Sequence, residues 1–460
     1  MNIVNDLRQL LGEGAVLDAA EVSERASGIW DPTPQSALAL VRPVSTEEVS
    51  RVMAYCHERG ISVVTQGGLT GLVRGQIATA NQLVLSLERM RVIEQIDPIQ
   101  RVATVQAGVT LQALQEAVAP AGLLFPLDLG ARGSATLGGN AATNAGGNRV
   151  IRYGMMRDMV LGLEVVLADG TIVDALHPLI KNNTGYDLKQ WFVGSEGTLG
   201  VITRLQLRLR EAPASHDVAM VAAPDFSAVT GLLRHMDRSL GGTLSAFEVM
   251  WPEFYALVTT PPAKNAPPLP PDLGFKVLVE SLGGDREADN ARFLAALEGA
   301  LDEGLISDAV VAQTDRERSG LWAIRDDVEQ VGRDGESAIF DVSLPITAME
   351  VYIHRIRAGL EASLTTHQLF VFGHLGDGNL HVVVQVPRGQ LASLRPIIEA
   401  HVYEPLIDCR GSVSAEHGIG LEKREWLPVS RNKAELALMR AMKSTLDPKG
   451  ILNPGKIFEA

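Results

Sequence analysis

The sequence predicts an α+β fold divided into more than one domain, and three observations carry that expectation. At 460 residues the chain is too long for a single core and should divide into two or three domains. Its hydrophobic fraction of 46% and charged fraction of 21% are those of an ordinary globular protein. Between about Pro43 and Arg210, short β-branched runs (ISVVTQ, QLVLSL, ATVQAG, LGLEVVLADG, GTLGVITRLQLRL) alternate with a few helical patterns and dense glycine.

In chain order, the N-terminus MNIVNDLRQLLGEG is amphipathic and mixed in charge, without the basic start and apolar core of a secretion signal. TEEVSRVMAYCHERG predicts a helix, opened by the cap region at Ser45 and closed by Gly60. SATLGGNAATNAGGNRVIRYG is expected to be poor helix material, and LADGTIVDA reads as a hairpin. A middle zone alternates longer helices such as DREADNARFLAALEGALDEG with strands such as FKVLVESLGG. Its prolines in TTPPAKNAPPLPPDLG forbid regular structure and mark an exposed loop. The expected domains are residues 1–213, 214–405 and a C-terminal segment 406–460.

Formal charge is 41 minus 55, or −14, which argues against nucleic acid as a partner and against an anionic membrane surface. Cys56 and Cys409 make no disulfide framework and match no zinc spacing. No segment has enough unbroken apolar residues to span a bilayer, and the expected location is cytoplasmic.

Three glycine clusters stand out. TQGGLTGLVRG follows a strand, and its glycines let backbone N–H groups crowd towards an anion, although it matches neither GxGxxG nor the Walker sequence. SATLGGNAATNAGGNRVIRYG interleaves Asn140, Asn144 and Asn148 among small residues, good material for backbone lying against a flat ligand. NNTGYDLKQWFVGSEGTLGVIT supplies Gly194, Gly197 and Gly200 before another strand. Further on, FGHLGDGNLHV reads strand, tight turn, strand, with His374 and His381 flanking a turn that is essential to any pairing of their imidazoles. Asp377 and Asn379 read as turn formers.

These clusters, in this order and spacing, together with GHLGDGNLH, SAEHGIG and NPGK, resemble the flavoproteins of the vanillyl-alcohol oxidase and p-cresol methylhydroxylase type. The closer match is to their FAD-linked D-2-hydroxyacid dehydrogenase branch, which includes D-lactate, D-2-hydroxyglutarate and glycolate dehydrogenase subunits. The resemblance runs from about Val41 to Phe458 and implies a bipartite FAD-binding domain, an α+β cap domain for substrate, and a C-terminal segment that closes the site and packs on the FAD domain. It places Gly67, Gly68, Thr70, Gly71 and Leu72 at the FAD pyrophosphate, lines the cofactor with Gly138, Gly139, Thr143, Asn144, Gly147, Gly197 and Ile202, and sets Asn453 near the ring. Relatives that tether FAD covalently often use a histidine in the first glycine loop; TQGGLTGL has none, so non-covalent FAD is expected.

The resemblance also assigns His374, His381 and Glu416 as ligands of Zn2+ or another divalent metal, and His417 as the catalytic base. Two imidazoles and a carboxylate make a three-ligand site with a position open for substrate. Neighbours in an extended segment point opposite ways, so Glu416 could hold the metal while His417 faces the alcohol. The metal would chelate the hydroxyl and one carboxylate oxygen while His417 takes the proton and the C2 hydride passes to the flavin. Arg325, in LWAIRDDVEQ, matches the family's carboxylate-binding arginine; the alternative is a helix pair with Glu329.

The 2-hydroxyglutarate branch carries a lysine where this chain has Ile339 and an asparagine where it has Val383, so the expected substrate is a monocarboxylic D-2-hydroxy acid such as D-lactate or a longer aliphatic analogue. D-2-hydroxyglutarate or glycolate dehydrogenase, a metal-free flavin alcohol oxidase of the same fold, a zinc hydrolase, and a subunit of a larger electron-transfer assembly are the alternatives. The acceptor, other than NAD, is left open among quinone, electron-transfer flavoprotein, cytochrome and oxygen, and a homodimer is compatible with the sequence.

Overall fold

The computed structural model describes residues 3–459, which form two compact units. The first comprises the chain up to Gly146, Gly154–Ala212 and the segment from Glu416 onward. The second comprises Gly147–Tyr153 and Pro213–Ala415. Nothing in the composition signals the short excursion Gly147–Tyr153, which leaves one unit for the other and returns within seven residues.

The first unit holds a four-stranded sheet in the order Val16–Asp18, Ala39–Val41, Leu83–Ser86, Val63–Gln66. Its last three strands run parallel, and helix Thr46–Arg59 makes one of the crossovers that parallel pairing demands. The Ser45 hydroxyl accepts the Glu48 N–H at 3.3 Å to start that helix, and Gly60, at φ 65°, ends it. A five-stranded antiparallel sheet follows in the order Ile93–Asp97, Val102–Gln106, Val201–Arg208, Val160–Val166, Ile172–Ala175. The C-terminal segment returns to the first sheet, where Leu452 bridges Val63 in parallel.

One expectation needs correction. SATLGGNAAT, read as poor helix material, folds into helix Leu137–Thr143. Its ends explain why: the Thr136 side chain accepts the Gly139 N–H, and Asn144 closes the helix at φ 50°. Two good caps on seven residues outweigh the glycine propensity cost of about 1 kcal/mol each.

The second unit is built on a seven-stranded antiparallel sheet. Its strands in chain order are β1 (Ser215–Ala223), β2 (Leu244–Met250), β3 (Phe275–Gly283), β4 (Asp308–Val311), β5 (Glu336–Ser343), β6 (Gln368–His374) and β7 (Asn379–Val386), and their order across the sheet is β4-β1-β3-β2-β6-β7-β5. Helices Pro252–Thr259 and Asp315–Asp326 cover one stretch of it, burying Met250, Leu278, Phe372 and Val383 with Phe254, Leu321 and Ile324. The proline-rich segment after Thr259 carries no helix or strand before Phe275. Among the described residues, no helix is long and apolar enough to cross a membrane.

Candidate active site

Strand pairing in the second unit decides which side chains meet. Glu248 on β2 lies directly opposite His374 on β6, and His381 on β7 lies opposite both Phe372 on β6 and Asp341 on β5. Directly opposed residues of an antiparallel pair share a face, and His374 stands two residues past Phe372, diagonal to His381. Four adjacent strands thereby align Glu248, His374, His381 and Asp341 in a polar row, beyond the apolar stretch formed by Met250, Phe372 and Val383.

Within that row the Nε2 atoms of His374 and His381 lie 3.4 Å apart. The Nδ1 of His374 lies 2.7 Å from Glu248 Oε1, so with the proton on Nδ1 the Nε2 carries a lone pair. Glu248 is fully buried; burial pushes its carboxyl up, but the pull of His374 and Arg325 outweighs that and holds it below the usual range. A carboxylate on the far nitrogen of an imidazole is the pattern that orients metal-ligating histidines.

The turn between the strands, Leu375–Asp377 followed by Gly378 at φ 87°, is a 3-10 turn in which Asp377 Oδ1 accepts the Asn379 N–H at 3.2 Å. Asn379 is more than a turn former: its buried amide donates to Asp341 Oδ1 at 2.8 Å and to the Val342 carbonyl at 2.9 Å. Asp341 Oδ2 accepts the Ala415 N–H at 3.0 Å, and Oδ1 stands 3.9 Å from His381 Nδ1. Glu416 and His417 are the next residues of the chain after Ala415 and belong to the first unit.

Arg325 is 5% exposed at the end of its helix, its Nε donating to Glu248 Oε2 at 2.8 Å and its guanidinium 5.1 Å from the Phe372 ring centre. The alternative pair with Glu329 does not form, because the helix ends at Asp326 and Glu329 sits in the following 3-10 turn. Val383 is sealed in the core at 1% exposure, directly opposite Ile339, which is 52% exposed on the edge strand.

In the first unit the glycine clusters interlock. A Cβ on Gly68 would stand 1.9 Å from the Ser134 carbonyl, and one on Gly138 would stand 2.5 Å from the Ala107 Cβ, so both glycines permit close approach of backbone to backbone. Gly67 and Gly139 both face the Thr136 hydroxyl. Thr70, Gly71 and Leu72 continue the loop after Val63–Gln66, with Leu72 46% exposed. Thr143 donates its hydroxyl to the Gly139 carbonyl at 3.0 Å, and Asn144 accepts the Arg157 N–H at 2.9 Å. Ile202 is buried at the start of Val201–Arg208. Asn453, at φ 43°, accepts the Thr65 N–H at 2.9 Å and donates to the Glu196 carbonyl at 2.6 Å, against Gly197. Gly147, at φ 120°, belongs to the second unit, and the other expected cofactor residues belong to the first.

These loops fit FAD by an independent sign: Thr65 Oγ1, Asn140 Nδ2 and Ser195 Oγ are buried polar atoms without a hydrogen-bond partner in the protein, and they belong to the three glycine-rich segments and the strand leading into them. Lys456, from the NPGK motif, donates to the Ile77 carbonyl at 2.7 Å, and burial with the nearby Arg424 charge pulls its ammonium down to about 8. Sequence reasoning missed Glu248 and Asp341, the buried carboxylates beside His374 and His381. The signal for Glu248 was a lone acid in the otherwise apolar strand LSAFEVM.

Two family models match the chain, an FAD binding domain over residues 37–176 and the C-terminal domain of FAD linked oxidases over 212–457. The mitochondrial D-2-hydroxyglutarate dehydrogenase of Bos taurus is 42% identical over 452 residues, which are 97% of this chain and 81% of that protein. The D-2-hydroxyglutarate dehydrogenase of Xanthomonas citri pv. viticola is 38% identical over 434 residues, 94% of this chain and 90% of that protein. Among solved structures, p-cresol methylhydroxylase with substrate bound superposes with a TM-score of 0.75 at 18% identity, over 99% of this chain and 96% of that one, a likeness of fold alone. The relatives correct the cytoplasmic expectation: the cattle protein is named as mitochondrial.

Proposed function

We propose, for a chain that belongs to the FAD-linked D-2-hydroxyacid dehydrogenases of the vanillyl-alcohol oxidase and p-cresol methylhydroxylase flavoproteins, that its substrate is D-2-hydroxyglutarate, oxidised to the 2-keto acid at a site that also holds a divalent metal. Family membership makes it an FAD-dependent oxidoreductase acting on D-2-hydroxy acids. The names of the cattle and Xanthomonas relatives support the dicarboxylic acid over the monocarboxylic one expected from the sequence.

The observation that carries the metal is the 3.4 Å between the Nε2 atoms of His374 and His381. Two nitrogens each about 2.0–2.1 Å from a tetrahedral zinc stand about 3.3–3.4 Å apart. Glu416 is the third ligand in this reading. When bound, the ion supplies Lewis acidity towards the substrate hydroxyl, and FAD supplies the acceptor of the electron pair that leaves C2. The chain's own residues do the rest. Glu248 fixes the His374 ring and its tautomer. Glu248 takes Nε of Arg325, so the Nη edge of that guanidinium is the one that meets the substrate carboxylate. His417 accepts the hydroxyl proton as C2 is oxidised. The cofactor is non-covalent, and the electrons leave to an acceptor other than NAD.

A second reading, a monocarboxylic D-2-hydroxy acid, is favoured by one observation: the opposed pair Ile339 and Val383 offers no polar atom to a distal carboxylate. Dye-reduction rates separate the two. Faster turnover of D-2-hydroxyglutarate than of D-lactate or D-2-hydroxybutyrate, abolished by a chelator, supports the first reading. The reverse order selects the second, and no turnover with any D-2-hydroxy acid sinks both.

A further inference from the structure

Glu196 has no part in the reading above, yet it grips the segment that carries the proposed base. Its Oε1 accepts the Ile419 N–H at 2.7 Å and its Oε2 accepts the Gly420 N–H at 2.8 Å, both in the turn directly after His417. The backbone of Glu196 is fixed on both sides. Its N–H donates to the Ala142 carbonyl at 2.7 Å, and its carbonyl accepts from Asn453 at 2.6 Å, while Asn453 also holds the Thr65 N–H at 2.9 Å. One residue therefore ties helix Leu137–Thr143, strand Val63–Gln66 and the C-terminal segment to the turn of SAEHGIG.

The turn is shaped to receive it. Gly418 adopts φ 87°, and a Cβ there would stand 2.9 Å from Glu196 Oε1. Gly420 adopts φ 51°, with the Val73 carbonyl 2.0 Å from where its Cβ would be. Glu196 itself sits at φ 52°, a conformation that a residue with a side chain keeps only where its surroundings over-determine it.

We infer that Glu196 is a positioning residue for His417: its carboxylate pins the Gly418–Gly420 turn and thereby sets the direction of the imidazole one residue earlier. The inference rests on His417 being the base. Burial holds the Glu196 carboxyl above the ordinary range, against the pull of the Ile419 and Gly420 N–H groups and the Lys423 charge, so this placement is costly for a carboxylate that merely fills space. A backbone clamp made by two carboxylate oxygens is also direction-specific, since each oxygen takes one N–H, and a glutamine there keeps one acceptor oxygen.

A double-mutant cycle with the FAD-loaded enzyme tests it, reading kcat, KM, FAD per chain and the visible spectrum of the bound flavin. Glu196→Ala should lower kcat by about tenfold or more with KM nearly unchanged and the FAD content and spectrum intact, whereas in a His417→Ala background the same change should cost less than about twofold. Glu196→Gln, which keeps the shape and loses one acceptor, takes the place of Glu196→Ala in the same cycle if the alanine variant fails to fold. Equal fold-losses in both backgrounds, or no loss in the otherwise wild-type enzyme, overturn the inference alone. Full activity of His417→Ala by itself overturns the assignment of the base, and the inference with it.

Discussion

At the scale of the residue, the sequence singles out the histidines proposed as metal ligands and not the acids that hold them. His374 and His381 are legible because a turn signal sits between them and an apolar run flanks them on both sides. Glu248 lies 126 residues before His374, and only the strand order, which no local pattern encodes, brings it to the Nδ1 atom. Replacing it tests that link: Glu248→Gln should weaken metal binding by about 10- to 100-fold, measured by competition with a chromogenic chelator. Unaltered affinity would show that the carboxylate does not act through the ring.

Glu280 is a second buried acid, bonded to Arg149 at 2.9 and 3.2 Å, to His216 at 2.8 Å and to Ser245 at 2.7 Å. Burial pushes its carboxyl up, but the His216 hydrogen bond and the Arg149 charge outweigh it and hold the folded value well below the usual range. A depressed folded value means that its stabilisation is complete above the unfolded carboxylate value of about 4.3 and fades as pH falls below it. Glu280→Gln should therefore cost about 3 kcal/mol at neutral pH, the low end for a broken buried pair because Arg149 keeps 17% exposure. Thermal melting at neutral pH and near pH 3 checks the sign: the gap between wild type and variant should narrow in acid, and a constant gap would refute the assignment.

At the scale of the element, caps and turns were readable and close backbone approaches were not. Ser45 and Gly60 bracket their helix as the sequence pattern expects, because capping is local chemistry. The helix Leu137–Thr143 was missed, since its stability comes from its caps and from packing on Ala107 rather than from propensity. The glycine clusters were read as a cradle for a ligand, and the structure adds that Gly68 and Gly138 are also required by neighbouring backbone. Gly68→Ala should consequently lower both stability and FAD content, because its Cβ meets a carbonyl rather than a yielding side chain. Yellow absorbance per chain after purification and the melting temperature report the two effects, and a variant that keeps both at wild-type values would contradict the interlock.

At the scale of the whole molecule, the residues expected at the cofactor, Gly147 apart, belong to one compact unit and the paired histidines to the other, while Glu416 and His417 begin the segment that returns to the first. Composition and zone lengths made a multi-domain α+β protein legible, but the excursion of Gly147–Tyr153 was invisible, since its anchors, Arg149 on Glu280 and Arg152 on the Leu282 carbonyl, are long-range contacts. Ile339 and Val383 point towards a monocarboxylic acid, whereas the relatives are named for D-2-hydroxyglutarate.

The most direct test of metal-assisted oxidation is elemental analysis of the purified, FAD-loaded protein beside its His381→Ala variant, with D-2-hydroxyacid turnover measured on the same samples. Wild type should carry about one divalent ion per chain, and the variant should lose ion and turnover together while keeping its flavin. A wild-type protein that is fully active without any divalent ion, or a variant that loses the ion and turns over unchanged, would contradict it.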